Sequence, residues 1–117
     1  MEYVTLGKSD LKVSRICMGC MGFGNAQTGQ HSWTVDEETS KAIIKRGLEL
    51  GINFYDTAIA YQAGTSEEYL GKAIKEYAKR DEVVIATKFL PRSQEEIANG
   101  VSGKEHVLNS LDVTIHR

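Results

Sequence analysis

The sequence predicts an α/β fold: an N-terminal hairpin plus three βα units of a (β/α)8 barrel, an incomplete barrel filling residues 1–117 as one domain. Three observations lead there. Short apolar runs alternate with amphipathic stretches of helical period, which implies a parallel sheet with right-handed crossovers. A turn cluster, Gly7-Lys8-Ser9-Asp10, separates two strand-like pieces ahead of the first unit. Two charged residues, Asp56 and Lys88, interrupt the second and third apolar runs near their ends. Barrels of this type carry their polar residues at that end of the strands.

In order, "YVTLGKSDLKVSR" reads as a hairpin cap over about residues 3–15, and the βα units fill about 16–117. "ICMGCM" is the first strand of the parallel sheet, and "GFGNAQTGQHSW" is a loop. Thr34 with Glu37 makes a capping box for a helix that carries Ile43, Gly47 and Leu50 on one face, with Ile44 and Leu48 beside it. Gly51 is placed to end it. "INFYDTA" is the next strand. A second capping box, Thr65 with Glu68, opens a helix with Leu70, Ala73, Ile74 and Tyr77 at three-and-four spacing. "VVIATKF" has the β-branched, apolar character of a strand buried on both faces. A longer loop, "LPRSQEEIANGVSG", holds the only proline. Ser102 with Glu105 starts a third helix lined by Leu108, Leu111 and Ile115. A doubly wound sheet would need a phosphate loop after the first strand. The glycines Gly19, Gly22 and Gly24 have G-x-x-G-x-G spacing and no helix opens straight after them, so that fingerprint fails.

Composition narrows the function. Hydrophobic content of 41% and charged content of 26% describe a globular chain, and 117 residues suffice for one core. A formal net charge of −2 gives no basic footprint for nucleic acid or an anionic membrane. No apolar run nears the ~20 residues of a membrane span. "MEYVTLGKSD" lacks the order of a signal peptide, so a cytoplasmic location is expected. Cys17 and Cys20 form a C-x-x-C, but zinc would need a second ligand pair and the redox motif normally opens a helix. Two reduced thiols on or near a strand, and no metal, are expected.

Asp56 and Lys88 stand at equivalent points of neighbouring units, at one mouth of the sheet, where a carboxylate and an ammonium would pair. Tyr61 follows Asp56 by five residues and can fold back over that mouth. A lysine cation beside it favours the phenolate, which makes the phenol a better acid toward a carbonyl oxygen. Asp56 would hold the lysine. That trio suits a reduction in which hydride arrives from a nicotinamide ring. The plainer alternatives are a structural ion pair at the mouth and a loop tyrosine packed on its neighbours.

At these residues the sequence resembles the aldo-keto reductase family. "LGKSDLKVSRICMGCMGFG", "ELGINFYDTAIAYQAGTSEEYLGKAI" and "VVIATKF" follow its opening third, from about Tyr3 to Arg117. The resemblance implies a TIM barrel whose hairpin closes the bottom, and NADPH-dependent reduction of small aldehydes or ketones to alcohols without metal or flavin. By position it implies catalytic roles for Asp56, Tyr61 and Lys88, with Tyr61 as proton donor. It places Gly19, Cys20, Met21 and Asp56 against the nicotinamide, with Cys20 where the family often has threonine. Trp33 resembles an aromatic wall of the substrate pocket. An alternative is a non-catalytic binding module like the potassium-channel β subunits, or a remnant of the fold.

The family's fourth catalytic residue is a histidine at the end of the fourth strand. His116 is expected to be a solvent-facing helix residue instead, and His106 and His31 lie in the wrong places. Three of eight units are present, against about 250 residues for a whole barrel. The expectation is therefore a truncated form, weakly active or inactive, that binds NADPH weakly or not at all and is prone to self-association through open sheet edges.

Overall fold

The structure, a computed structural model, describes residues 1–117. Strands β1 (Tyr3–Thr5) and β2 (Lys12–Ser14) pair antiparallel as the expected hairpin. Strands β3 (Met18–Gly19), β4 (Phe54–Asp56) and β5 (Val84–Ala86) form a parallel sheet in that order. Helix α1 (Glu37–Glu49) joins β3 to β4, and α2 (Thr65–Tyr77) joins β4 to β5. After β5 come a short helix, α3 (Gln94–Ala98), and α4 (Gly103–Ile115).

Register sorts the side chains. Met18 lies opposite Tyr55, and Tyr55 opposite Ile85. Side chains alternate along a strand, so these three share the face toward α1 and α2. There they join a core of Cys20, Phe23, Ile44, Tyr55, Leu70, Ala73, Ile74 and Val83. Gly19, Asp56 and Ala86 form the next row across the sheet and belong to the opposite face. Gly47 lets α1 approach closely, because a Cβ there would collide with the Met18 methyl.

The hairpin is fastened below the sheet. Asn53, just before β4, accepts from Ser14 N at 2.7 Å and donates to Lys12 O at 3.0 Å. The Tyr3 hydroxyl donates to Gly51 O at 2.7 Å. Gly51 has φ 90° and ends α1 as expected. Its N–H reaches Leu48 O while Ile52 N–H reaches Gly47 O, the paired bonds of a Schellman motif.

Two helix starts differ from the sequence expectation. Asp36, not Thr34, caps α1 by accepting from Thr39 N. Thr34 instead donates to Gly24 O, tying down the preceding loop. Gly64, at φ 95°, precedes α2, and Thr65 is its first residue. The Thr65 hydroxyl donates to Gln62 O and accepts from Asn25 N, so it serves the loop and not a capping box. Ser102 and Glu105 do form the expected box. A further box, Ser93 with Glu96, starts α3 inside the stretch expected to be loop. Helix α1 turns Ile44 and Gly47 inward and leaves Ile43 and Leu50 exposed, a rotation of the expected face. Strand β5 is only half-buried, because no strand pairs with its outer edge and no layer covers its far face.

Helix α4 buries none of its residues, and Leu108, Leu111 and Ile115 are exposed. The radius of gyration, 15.4 Å, exceeds the roughly 13 Å of a compact chain this long. A cavity of about 650 Å³ lies between α2, β5 and α4, on the helix side of the sheet. No helix is long and apolar enough to cross a membrane.

His106 links α4 to the segment before it. Its Nδ1 meets Glu96 Oε2 at 2.7 Å and its Nε2 meets Leu90 O. A carboxylate and a carbonyl only accept, so both ring nitrogens donate, as in imidazolium. The hydrogen bond to Glu96, then that to Leu90, raises the histidine above its ordinary value despite some desolvation.

Two predictions follow from this packing. Ile44→Ala should lower unfolding free energy in urea by about 2–5 kcal/mol, whereas Ile43→Ala should cost well under half of that. A raised histidine contributes stability that is complete below about pH 6.5 and lost as pH rises through the folded value. The melting-temperature gap between the parent and His106→Gln should therefore be widest in mild acid and shrink above neutrality. A gap independent of pH would refute the ionic clasp.

Candidate active site

The site is built at the C-terminal ends of β4 and β5. Asp56 is the last residue of β4, and Lys88 follows β5 by two positions. The ladder runs on past both strands, with Thr57 N–H donating to Ala86 O at 2.9 Å and Ile59 N–H to Lys88 O at 3.0 Å. This continuation brings the lysine stem alongside the turn that carries Tyr61. Lys88 Nζ donates to Asp56 Oδ2 at 2.8 Å, to Thr57 O at 2.6 Å and to Tyr61 Oη at 3.4 Å. It also lies 5.1 Å from the Tyr61 ring centroid.

Partial burial works against the Lys88 ammonium. Its hydrogen bonds to Asp56 and Tyr61 outweigh that and raise it above the ordinary lysine value, so it stays charged across the neutral range. An ammonium has three protons, and here each points at an oxygen. The Tyr61 oxygen thus receives a hydrogen bond while its own O–H remains free to donate elsewhere. The Lys88–Asp56 pair is roughly half-exposed on each side, and such pairs add only about 0–1 kcal/mol to stability. Stability alone is a weak reason for converging these three groups.

The mouth is held from behind by the first turn of α2, which sequence reasoning missed. Ser66 Oγ donates to Cys20 O at 2.7 Å and receives the Thr57 hydroxyl at 2.9 Å. The buried Glu67 carboxylate accepts from Thr87 Oγ1 at 2.7 Å and from Arg117 Nη1 at 2.8 Å. Each of the three strand ends is bonded to one of these adjacent residues. The signal was present in "DT", "TK" and "SE": a hydroxyl beside each charged residue and a polar pair opening the helix.

Gly19 is exposed on the row it shares with Asp56, Met21 is exposed in the turn two residues on, and an added Cβ at Gly19 would meet nothing within 4 Å. Cys20 points the other way. It is wholly buried, and desolvation pushes its thiol up to about 12, so only its backbone borders the mouth. Both cysteines are free. Trp33 is 61% exposed in the loop between β3 and α1, stacked on His31 with centroids 4.0 Å apart, and its ring passes near Gly22. His116 is exposed at the end of α4, beside Asp112, and His106 serves the α3–α4 clasp.

A sequence model of the Aldo/keto reductase family matches residues 15–117. Versiconal hemiacetal acetate reductase of Aspergillus parasiticus is 46% identical over 89 residues, covering 75% of this chain and 25% of that protein. A rice protein (Oryza sativa subsp. japonica) named "Probable voltage-gated potassium channel subunit beta" is 32% identical over all of this chain and 34% of its own length. The solved holo form of aldo-keto reductase AKR11C1 from Bacillus halodurans superposes with a TM-score of 0.65 at 38% identity, over 81% of this chain and 28% of that one. The chain thus spans about a quarter to a third of the length of these relatives. With Asp56, Lys88 and the Tyr61 turn gathered beyond the ends of β4 and β5 and a family match over residues 15–117, the chain belongs to the aldo/keto reductase family.

Proposed function

We propose that this chain carries the proton-donating half of an NADPH-dependent carbonyl reductase site. The observation that bears most weight is the convergence of one ammonium on Asp56, Thr57 O and Tyr61 Oη. In this reading the Tyr61 O–H donates to the oxygen of an aldehyde or ketone and gives up its proton as the carbonyl becomes an alcohol. Lys88 stabilises the negative charge that develops on the phenol oxygen. Asp56 keeps the lysine in place, and Thr57 O fixes its third proton. When bound, NADPH supplies the hydride to the carbonyl carbon.

The residues present fit one edge of a nicotinamide. Gly19 leaves open space on the row it shares with Asp56, and Met21 is exposed two residues on. Trp33, with His31 stacked on it, would wall the substrate side. A second reading, a binding module without catalysis, draws on the rice relative's identity across the whole chain.

Turnover separates the two. Carbonyl-dependent loss of NADPH absorbance is expected to be slow in the parent and about 10²–10⁴-fold lower in Tyr61→Phe. A Tyr61→Phe rate equal to the parent's would refute Tyr61 as the proton donor, and no rate in the parent at concentrations well above its Kd would favour the binding module. A fluorescence titration of the 117-residue chain with NADPH should give a Kd weaker than about 1 μM, since one edge of a ring offers few contacts. Tighter binding would mean that a cofactor grip exists elsewhere on the chain.

A further inference from the structure

We propose that Gln62 is a positioning residue that pins the Trp33 loop to the turn carrying Tyr61. Gln62 and Ala63 both have left-handed backbones, with φ of 48° and 53°. Residues with a Cβ avoid that region, and consecutive ones are held there only by their surroundings. Here the surroundings are the loop between β3 and α1. The Gln62 side chain is buried, and its Nε2 donates to Asn25 O at 2.8 Å, Thr28 O at 2.6 Å and His31 O at 2.6 Å. Two N–H bonds are thus shared among three carbonyls. Its Oε1 accepts from His31 N at 3.3 Å, and its backbone carbonyl accepts from Thr28 Oγ1 and Thr65 Oγ1.

The loop is shaped to receive it. Gly24 and Gly29 have φ of 146° and 78°, and an added Cβ at either would lie 2.5 Å from a Gln62 carbon. The left-handed turn aims the amide into the ring of carbonyls, and the bonds to that ring hold the turn. The neighbours on either side of this fastening are the functional candidates. Tyr61 precedes Gln62 directly, and His31 with its stacked partner Trp33 ends the pinned segment. Gln62 acts through these two groups and needs no contact with substrate. A residue with no side-chain amide here would leave Tyr61 and the aromatic pair on separately moving segments.

Trp33 is the only tryptophan, so its fluorescence reports the pin in the free protein, independently of turnover. Gln62→Ala removes the amide. Gly29→Ala pushes the exposed loop off from the other side without changing Gln62. Both should raise acrylamide quenching of Trp33 by about twofold or more and lower its anisotropy, as a loop opens locally while the fold persists. Ala63→Gly eases the turn without touching the amide and should match the parent. If Gln62→Ala does not fold, Gly29→Ala decides. Parent-like quenching in whichever of the two is folded would overturn the proposal, and so would an equal rise in Ala63→Gly. The consequence for catalysis rests on the reductase reading: KM should rise by a larger factor than kcat falls. Quenching that rises with no measurable turnover would leave the pin standing and count against the reductase reading alone.

Discussion

Everything at the mouth of the sheet depends on how the first turn of α2 is buried. A helix start exposes unpaired N–H groups and is usually left to solvent. Here Ser66 and Glu67 carry that turn down onto the strand ends, where their side chains bond to Cys20 O, Thr57, Thr87 and Arg117. A buried carboxylate is tolerated only when its oxygens are satisfied, and Glu67 is satisfied by Thr87 just past β5 and by Thr114 and Arg117 at the end of α4. Because Thr57 adjoins Asp56 and Thr87 adjoins Lys88, fixing the threonines fixes the pair beside them. The parallel register brings the two strand ends level, and the helix turn keeps them so.

A division of labour between the two faces of the sheet follows. The helix side holds Met18, Tyr55 and Ile85 and contributes stability through apolar burial. The other side holds Gly19, Asp56 and Ala86 and buries little. That side is where the Lys88–Asp56 pair and the Tyr61 phenol beside it stay partly hydrated. The core is correspondingly one-sided, and α4 buries no residue of its own, joining the rest through Thr114 and Arg117 at its end.

Much of this was legible in the sequence. The alternation of apolar runs and helical periods was enough to order the hairpin, the three strands and the longer helices, because each element carries its own period. Asp56, Tyr61 and Lys88 stood out because charge or phenol interrupts an apolar pattern. What was hidden depends on contacts between distant segments. Thr34 and Thr65 looked like caps, yet their hydroxyls serve the loop carbonyls of Gly24 and Gln62 and, for Thr65, the distant Asn25 amide. The face of α1 was misread because Ile43 and Ile44 are equally apolar, and only the closeness of Met18 at Gly47 decides which turns inward. Gln62 gave no signal, since a left-handed glutamine cannot be read from composition or period. Helix α3 was the avoidable miss, as Ser93, Glu96 and Gly100 carry the same start and stop signals used elsewhere.

The Asn53 clasp also has a temporal meaning. Strands β1 and β2 are joined by a short connection, and a hairpin of that kind closes in about 1–10 μs. Asn53 grips Ser14 across 39 positions of sequence, so the clasp closes a much longer loop than the hairpin turn does and needs β4 aligned beside the hairpin. The hairpin therefore forms early and docks late. During synthesis it would emerge ahead of β4 and dock only once that strand has followed it out.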